Sequence, residues 1–272
     1  MSEPDTPRIA VLGVGAMGTA LLTGLLQSDR PARISVSDRS AARQAEVADE
    51  HGVAGLAAAD AVADADVVLL AVKPQGMAGL LAEIGPRLSS GALVLSIAAG
   101  LTTAYLEERL PDGTPVVRAM PNTPALVGEG MTAVCAGAHA TDEHLDTAQE
   151  LLGTGGRTVV VPESQLDAVT AVSGSGPAYV FYVADAMIEA GVLLGLPRDV
   201  ATELAVQTLY GAATMLSRTG EHPVLLRERV SSPAGTTIAA LRQLDEHGVR
   251  AAFLSALEAA AHRSAELASE QG

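Results

Sequence analysis

Basic residues, aromatics and cysteine are all scarce in this sequence. Lys73 is the lone lysine among 17 basic side chains, and 32 acidic side chains leave a formal net charge of -15. Such an acidic surface excludes nucleic acid or an anionic membrane as the main partner, since both demand basic surface. A local basic pocket for a small phosphate stays compatible with it. Aromatics are 2% of the chain and Trp is absent, against 48% hydrophobic residues. Core volume must then come from Ala, Val, Leu and Ile, which favours packed helices and parallel strands over an aromatic-rich β-sandwich. Cys135 stands alone, so no intrachain disulfide can form and a reducing cytoplasm is expected. The six histidines form no HxxxH pair and no second cysteine exists, so no zinc site is expected. The start, MSEPDTPR, is polar and acidic, unlike a signal or transit peptide. The longest apolar stretch, 178–196, carries Asp185 and Glu189 four residues apart. It reads as a buried or interface helix with a polar stripe, not a membrane span.

At 272 residues the chain has room for one large or two ordinary domains. Residues 8–161 alternate short apolar runs with helical patterns. The runs fall at 8–12, 33–37, 66–72, 92–98, 115–120, 131–136 and 158–162, with helical periodicity at 16–27, 40–50, 75–88 and 141–152. This rhythm, with near-continuous Val/Ile/Leu strands, predicts a mostly parallel sheet covered on both faces. From Pro162 the strand rhythm stops, and helical patterns follow at 163–172, 177–195, 198–218, 233–246 and 248–269. The expected fold class is α/β: a Rossmann-type doubly wound domain over 1–162, then an all-α domain over 163–272. An Ala-rich helical half of that size has a thin core. A homodimer or higher oligomer with interlocking helices is expected, the alternative being an ordinary monomer core.

Gly13-Val14-Gly15-Ala16-Met17-Gly18 directly follows the first strand and opens a helix. In a GxGxxG turn so placed, the first glycine permits the tight turn and the second lets backbone approach a pyrophosphate. The third allows close helix–strand packing, and the helix start supplies N–H groups to the anion. Asp38 ends the second strand, where an acid normally accepts ribose hydroxyls and favours NAD. Its neighbours Arg39, Ser40 and Arg43 suit a 2′-phosphate. These signals conflict. They lean to NADP(H) with NAD(H) possible, the alternative being that Arg39 and Arg43 are solvated helix-start charges. Ligands bind outside the carboxyl ends of strands in such sheets. The loops with Ala71, Lys73 and Pro74, with Ala98, Ala99 and Gly100, and with Pro121 and Asn122 should therefore line the cofactor crevice. Lys73 is a candidate contact for ribose or phosphate, and Asn122 for the nicotinamide amide.

Two further loops run into helices of the second half. In SGSGP (173–177), Pro177 suits the first helical position. In VSSPAGTT (230–237), Ser232 suits the N-cap and Pro233 the first helical position. Each start offers N–H groups for a carboxylate, although both are also ordinary capped helix starts. The segment VSSPAGTTIAALRQLD at 230–245 resembles the signature of pyrroline-5-carboxylate reductases. GVGAMGTALLTGL, AVKPQ, SIAAG, RAMPNTPALVGEG and SGSGPAYVF fall in that family's order and spacing. The resemblance implies reduction of 1-pyrroline-5-carboxylate to L-proline by NAD(P)H, the last step of proline synthesis. It also implies a Rossmann domain followed by a helical dimerisation domain, commonly assembled as a ring of dimers. By this resemblance Thr237 matches the threonine that hydrogen-bonds the ring nitrogen. The backbone of Gly235, Thr236 and Thr237 would hold the carboxylate, with Val230, Ser232 and Ser175 completing the substrate site. Asp38 departs from the Asn or Ser of many relatives.

The chemistry agrees with a site poor in strong acids. A protonated cyclic imine is already an activated hydride acceptor, so positioning and electrostatics suffice. β-Hydroxyacid dehydrogenases share the two-domain plan but use a lysine of the second domain as acid/base, and no lysine follows Lys73. A non-catalytic nucleotide sensor would not need the 230–237 loop. The Asp185/Glu189 pair reads as an exposed or interface stripe.

Overall fold

The computed structural model describes residues 6–28 and 32–270; the first five residues of the acidic start lie outside these. The chain forms two compact units, one made of residues up to Ser175 together with those from Ala260 onward, the other of Gly176–Ala259.

The first unit holds strands β1 (Arg8–Leu12), β2 (Arg33–Ser37), β3 (Ala54–Gly55), β4 (Val67–Leu70), β5 (Leu93–Ser96), β6 (Val116–Met120), β7 (Gly130–Ala136) and β8 (Gly156–Val160). They form one sheet in the order β3-β2-β1-β4-β5-β6-β7-β8. Only β6 and β7 pair antiparallel; the remaining pairs are parallel. The first six strands follow the doubly wound order with its switch point beside β1. The helices are α1 (Ala16–Gln27), α2 (Ala41–His51), α3 (Ala58–Val62), α4 (Met77–Ile84), α5 (Thr103–Glu107), α6 (Asp142–Gly153) and α7 (Leu166–Val169).

Helices on both sides explain why the strands read as unbroken apolar runs. Ile9 and Val11 point to one core with Leu21, Leu22, Leu69, Leu95 and Leu152. Ala10 and Leu12 point to the other, with Val68, Leu70, Met77, Leu81 and Ile84. Alternate side chains leave opposite faces of a strand, so a sheet covered twice needs apolar residues at every position. The two-residue strand β3 lies outside the expected runs because Ala54 and Gly55 are exposed and carry no apolar signal.

Pro162 marks the end of the strand rhythm, but the packing boundary lies later, at Ser175. Arg118 of β6 explains the difference. Its side chain is 8% exposed and its Nη1 donates to Glu163 Oε1 at 3.0 Å. Thr103 of α5 donates to the same carboxylate through its N–H at 2.8 Å and its Oγ1 at 2.7 Å. Leu166 is buried with Ala133 and Cys135. These contacts bind the 163–175 segment to the sheet. The helix expected over 163–172 is broken into a 3-10 turn, the short α7 and a five-residue π turn over Thr170–Gly174.

The second unit comprises α8 (Gly176–Leu193), α9 (Arg198–Thr219), α10 (Pro223–Arg229), α11 (Thr236–Glu246) and the first residues of α12 (Val249–Ser269). A Cβ on Gly191 would lie 2.8 Å from the Ala201 Cβ, so small residues let α8 and α9 approach closely. Ala201 and Ala205 are the buried residues of α9, whereas α8 and α11 bury none among the described residues. Phe181, Tyr182, Leu193 and Leu194 are 67%, 78%, 87% and 84% exposed. Large apolar side chains exposed in such number mark an association face. Glu189 meets Arg198 at 2.8 Å, as befits an exposed polar stripe. Among the described residues no helix is long and apolar enough to cross a membrane.

Candidate active site

Parallel pairing places the carboxyl ends of β1, β2, β4, β5 and β6 on one edge of the sheet. Leu12 is level with Ser37 and Leu70, and Leu70 with Ser96. The turn after β1 is shaped for a diphosphate. Gly13 has φ +97, and a Cβ there would lie 2.8 Å from the Ala71 carbonyl, so only glycine allows the turn to lie against the end of β4. A Cβ on Gly18 would run into the Gly13 carbonyl oxygen. Gly15 differs from both: nothing lies within 4 Å of its hypothetical Cβ. It is the N-cap of α1, without a side-chain cap. The first N–H groups of a helix lack internal acceptors, so the open space above Gly15 is where backbone donors and helix dipole suit an anion. The residues present thus fit a pyridine dinucleotide.

The loop after β2 ties Asp38 to the backbone. Asp38 spends its carboxylate on the protein, accepting the Val14 N–H and the Ser40 N–H at 2.9 Å each. Its own N–H donates to Gln44 at 3.0 Å. Ser40 caps α2, its Oγ accepting from the Arg43 N–H at 3.3 Å. Arg43 reaches back to the glycine turn, donating to the Val14 carbonyl at 3.1 Å, and pairs with Glu46 at 2.9 Å. Arg39 is exposed and makes no hydrogen bond or ion pair among the described residues.

The remaining loops reach the same edge. Ala71 donates its N–H to the Leu12 carbonyl at 2.8 Å. Lys73 is exposed and caps a 3-10 turn opened by Pro74. Ala98 is buried, Ala99 exposed, and Gly100 has φ +77. Pro121 is buried, whereas Asn122 is half-buried with its amide already engaged. Its Oδ1 accepts the Met131 N–H at 2.9 Å and its Nδ2 donates to the Ser173 carbonyl at 3.1 Å. Ser175 ends the π turn, its N–H donating to Thr170 at 2.8 Å. Pro177 falls one place later than expected, at the second residue of α8.

In the second unit, the 230–237 loop departs from the expected capping. Helix α11 starts at Thr236 with Gly235 as N-cap, so Ser232 is not the cap and Pro233 is not the first helical residue. Ala234 has φ +56. The chain therefore reverses over Ser232–Gly235, with the Gly235 N–H donating to the Ser232 carbonyl at 3.0 Å. Pro at the second position and positive φ at the third define a type II turn. For a non-glycine residue, positive φ is a strained conformation of the sort held at functional sites. A Cβ on Gly235 would collide with Ser232 Oγ. Thr237 is half-buried in the first turn of α11, and Val230 lies exposed at the end of α10. No acceptor among the described residues meets the N–H of Thr236 or Thr237.

Sequence reasoning missed the Arg118–Glu163–Thr103 cluster. Its signal was an arginine inside the apolar run VVRAM, since a buried cation requires a buried acid. Burial pushes the Glu163 carboxyl up, but the Thr103 hydrogen bonds and Arg118 outweigh it and hold the group below the usual range. Burial, then Glu163, raises the Cys135 thiol to about 11, so it is a structural thiol.

Comparisons with known proteins give the family. Residues 163–267 match the family model for pyrroline-5-carboxylate reductase dimerisation, and residues 8–100 match that for NADP oxidoreductase, coenzyme F420-dependent. Pyrroline-5-carboxylate reductase of Corynebacterium melassecola is 49% identical over 264 residues, 95% of this chain and 98% of that protein. The structure of a pyrroline-5-carboxylate reductase from Coxiella burnetii matches with a TM-score of 0.91 at 36% identity, covering 97% of this chain and 99% of that one. Plasmodium falciparum pyrroline carboxylate reductase with NADP bound matches at 0.85 and 27% identity, covering 98% and 100%. With its dinucleotide cradle, its strained 232–235 turn and its dimerisation region, the chain belongs to the pyrroline-5-carboxylate reductase family.

Proposed function

We infer that this protein reduces 1-pyrroline-5-carboxylate to L-proline with NAD(P)H, the last step of proline synthesis. The observation that carries this reading is the presence, in one chain of this family, of two anion-adapted helix starts. One lies above Gly15, and the other at Thr236 and Thr237. When bound, the dihydronicotinamide supplies the hydride that reduces the imine carbon. Gly13, Gly15, Ala16, Met17 and Gly18 hold the diphosphate. Asp38, Arg39 and Ser40 surround the adenosine ribose, and Ala71, Lys73, Pro74, Ala98, Ala99, Gly100 and Pro121 form the rest of the crevice, with Asn122 behind it, its amide engaged by Met131 and Ser173. The N–H groups of Thr236 and Thr237 hold the substrate carboxylate, beside Val230, Ser232 and Gly235, whose own N–H closes the turn onto Ser232; Ser175 is a further substrate contact. The Thr237 hydroxyl hydrogen-bonds the ring nitrogen, which arrives protonated, so no strong enzymic acid is needed. Functionally, 1–162 is the nucleotide-binding part and 163–272 the substrate-binding and dimerising part.

NADP(H) is the preferred cofactor, with NAD(H) accepted. Supporting this, Asp38 is engaged by two backbone N–H groups, and Arg39, just past the end of β2, has no ion-pair partner among the described residues. The exposed apolar residues of α8 support self-association into dimers; a ring of such dimers in the cytoplasm completes the reading. Oxidation of NADPH and NADH, followed by absorbance on adding the imine, tests the function. Turnover with NADPH exceeding that with NADH is expected; no turnover with either cofactor sinks it.

A further inference from the structure

We propose that Asn122 is a positioning residue for the substrate side of the site: its amide clamps the 173–175 loop to the turn after β6. The inference rests on the proposed function, in which Ser175 contacts the imine substrate. It differs from a direct contact between Asn122 and the nicotinamide.

In an α-helix the Ser173 C=O would accept the N–H four residues ahead, but that residue is Pro177, which has none. The chain here forms a π turn over Thr170–Gly174, closed by the Ser175 N–H on the Thr170 carbonyl at 2.8 Å. Single π turns recur at functional sites. Asn122 Nδ2 takes up the Ser173 carbonyl at 3.1 Å, while Oδ1 accepts the Met131 N–H at 2.9 Å. The two ends of the clamp need opposite polarity, a donor for the carbonyl and an acceptor for the amide, at the reach of one short side chain. Asparagine supplies both; aspartate supplies acceptors alone and leucine neither. A second contact fixes the same loop, since a Cβ on Gly174 would lie 2.9 Å from Met120 Cε. Met120 ends β6, so the loop bearing Ser175 is registered against the strand that leads into Pro121 and Asn122.

Asn122→Asp keeps the acceptor for Met131 and sets a carboxylate against the Ser173 carbonyl. At about pH 8 the KM for the imine should rise about tenfold, with the dissociation constant for NADPH, read by fluorescence, within about twofold of wild type. Protonation turns the aspartate into an isosteric donor. The ratio of variant to wild-type KM should therefore fall as pH is lowered toward about 5, where an acid desolvated beside a carbonyl takes up its proton. Asn122→Ala should show the raised KM without this recovery. The clamp is refuted if NADPH affinity falls while the imine KM holds, if both constants hold, or if the pH profiles of the two variants coincide. Should Asn122→Asp fail to fold, Pro177→Ala addresses the same contact by restoring an N–H to compete for Ser173. A rise of about threefold in imine KM at unchanged NADPH affinity supports the clamp, and no change refutes it. Wild-type enzyme that does not turn over the imine would instead overturn the function itself, before any variant is compared.

Discussion

Replacing Glu163 by alanine removes the acid that neutralises Arg118, whose side chain is 8% exposed. Breaking a buried ion pair from one side costs about 3–5 kcal/mol, because a charge is left without a partner. Glu163 is itself 29% exposed, so water reaches the site and the expected loss is smaller, about 2–4 kcal/mol. Thermal unfolding should then shift down by roughly 4–16 °C, at about 2–4 °C per kcal/mol for a unit of this size. Glu163→Gln keeps one acceptor for Thr103 and should lose about half as much. The pH dependence gives a second reading. Because the folded Glu163 pKa is depressed, its contribution is fully present above the unfolded value of 4.5. That contribution is lost as pH falls through the lower folded value, so the wild type–Gln difference should shrink below about pH 4.5. The pair Arg118→Met with Glu163→Leu, which removes both charges, should be more stable than the sum of the single losses. An alanine variant as stable as wild type, or a difference independent of pH, would refute the reasoning.

The two helix-start glycines should respond oppositely. Gly15→Ala adds a methyl to open space, so the protein should fold normally while losing NADPH affinity by at least about tenfold, measured by fluorescence titration. Gly18→Ala drives a Cβ into the Gly13 carbonyl and should lower the melting temperature even without nucleotide. Arg39→Ala should raise the KM for NADPH about tenfold, roughly one charge-assisted contact, and leave that for NADH unchanged; equal effects on both would place Arg39 away from the 2′-phosphate. Thr237→Ala should cut imine turnover about a hundredfold with nucleotide binding retained, and an unchanged rate would remove Thr237 from the mechanism.

Periodicity, glycine spacing and helix-start chemistry are local properties, and they made most of the sheet, its two apolar faces and the nucleotide turn legible in the chain alone. The capping misplacement in the 230–237 loop also has a local cause. The helix at Thr236 begins later than Ser232 and Pro233 suggest because Ala234 takes up positive φ, a conformation that its residue type gives no reason to expect.

The scarcity of lysine, aromatics and cysteine, together with GVGAMG and the 230–237 loop, determined the class of fold and the dinucleotide chemistry. Tertiary structure alone decided that Asp38 is held by the Val14 amide, and that Arg118, Thr103 and Glu163 meet across 60 residues of chain. It also decided that Asn122 grips Ser173. Each is a polar group satisfied by a partner distant in sequence. Burial demands some partner for such a group, but only the path of the backbone selects which one.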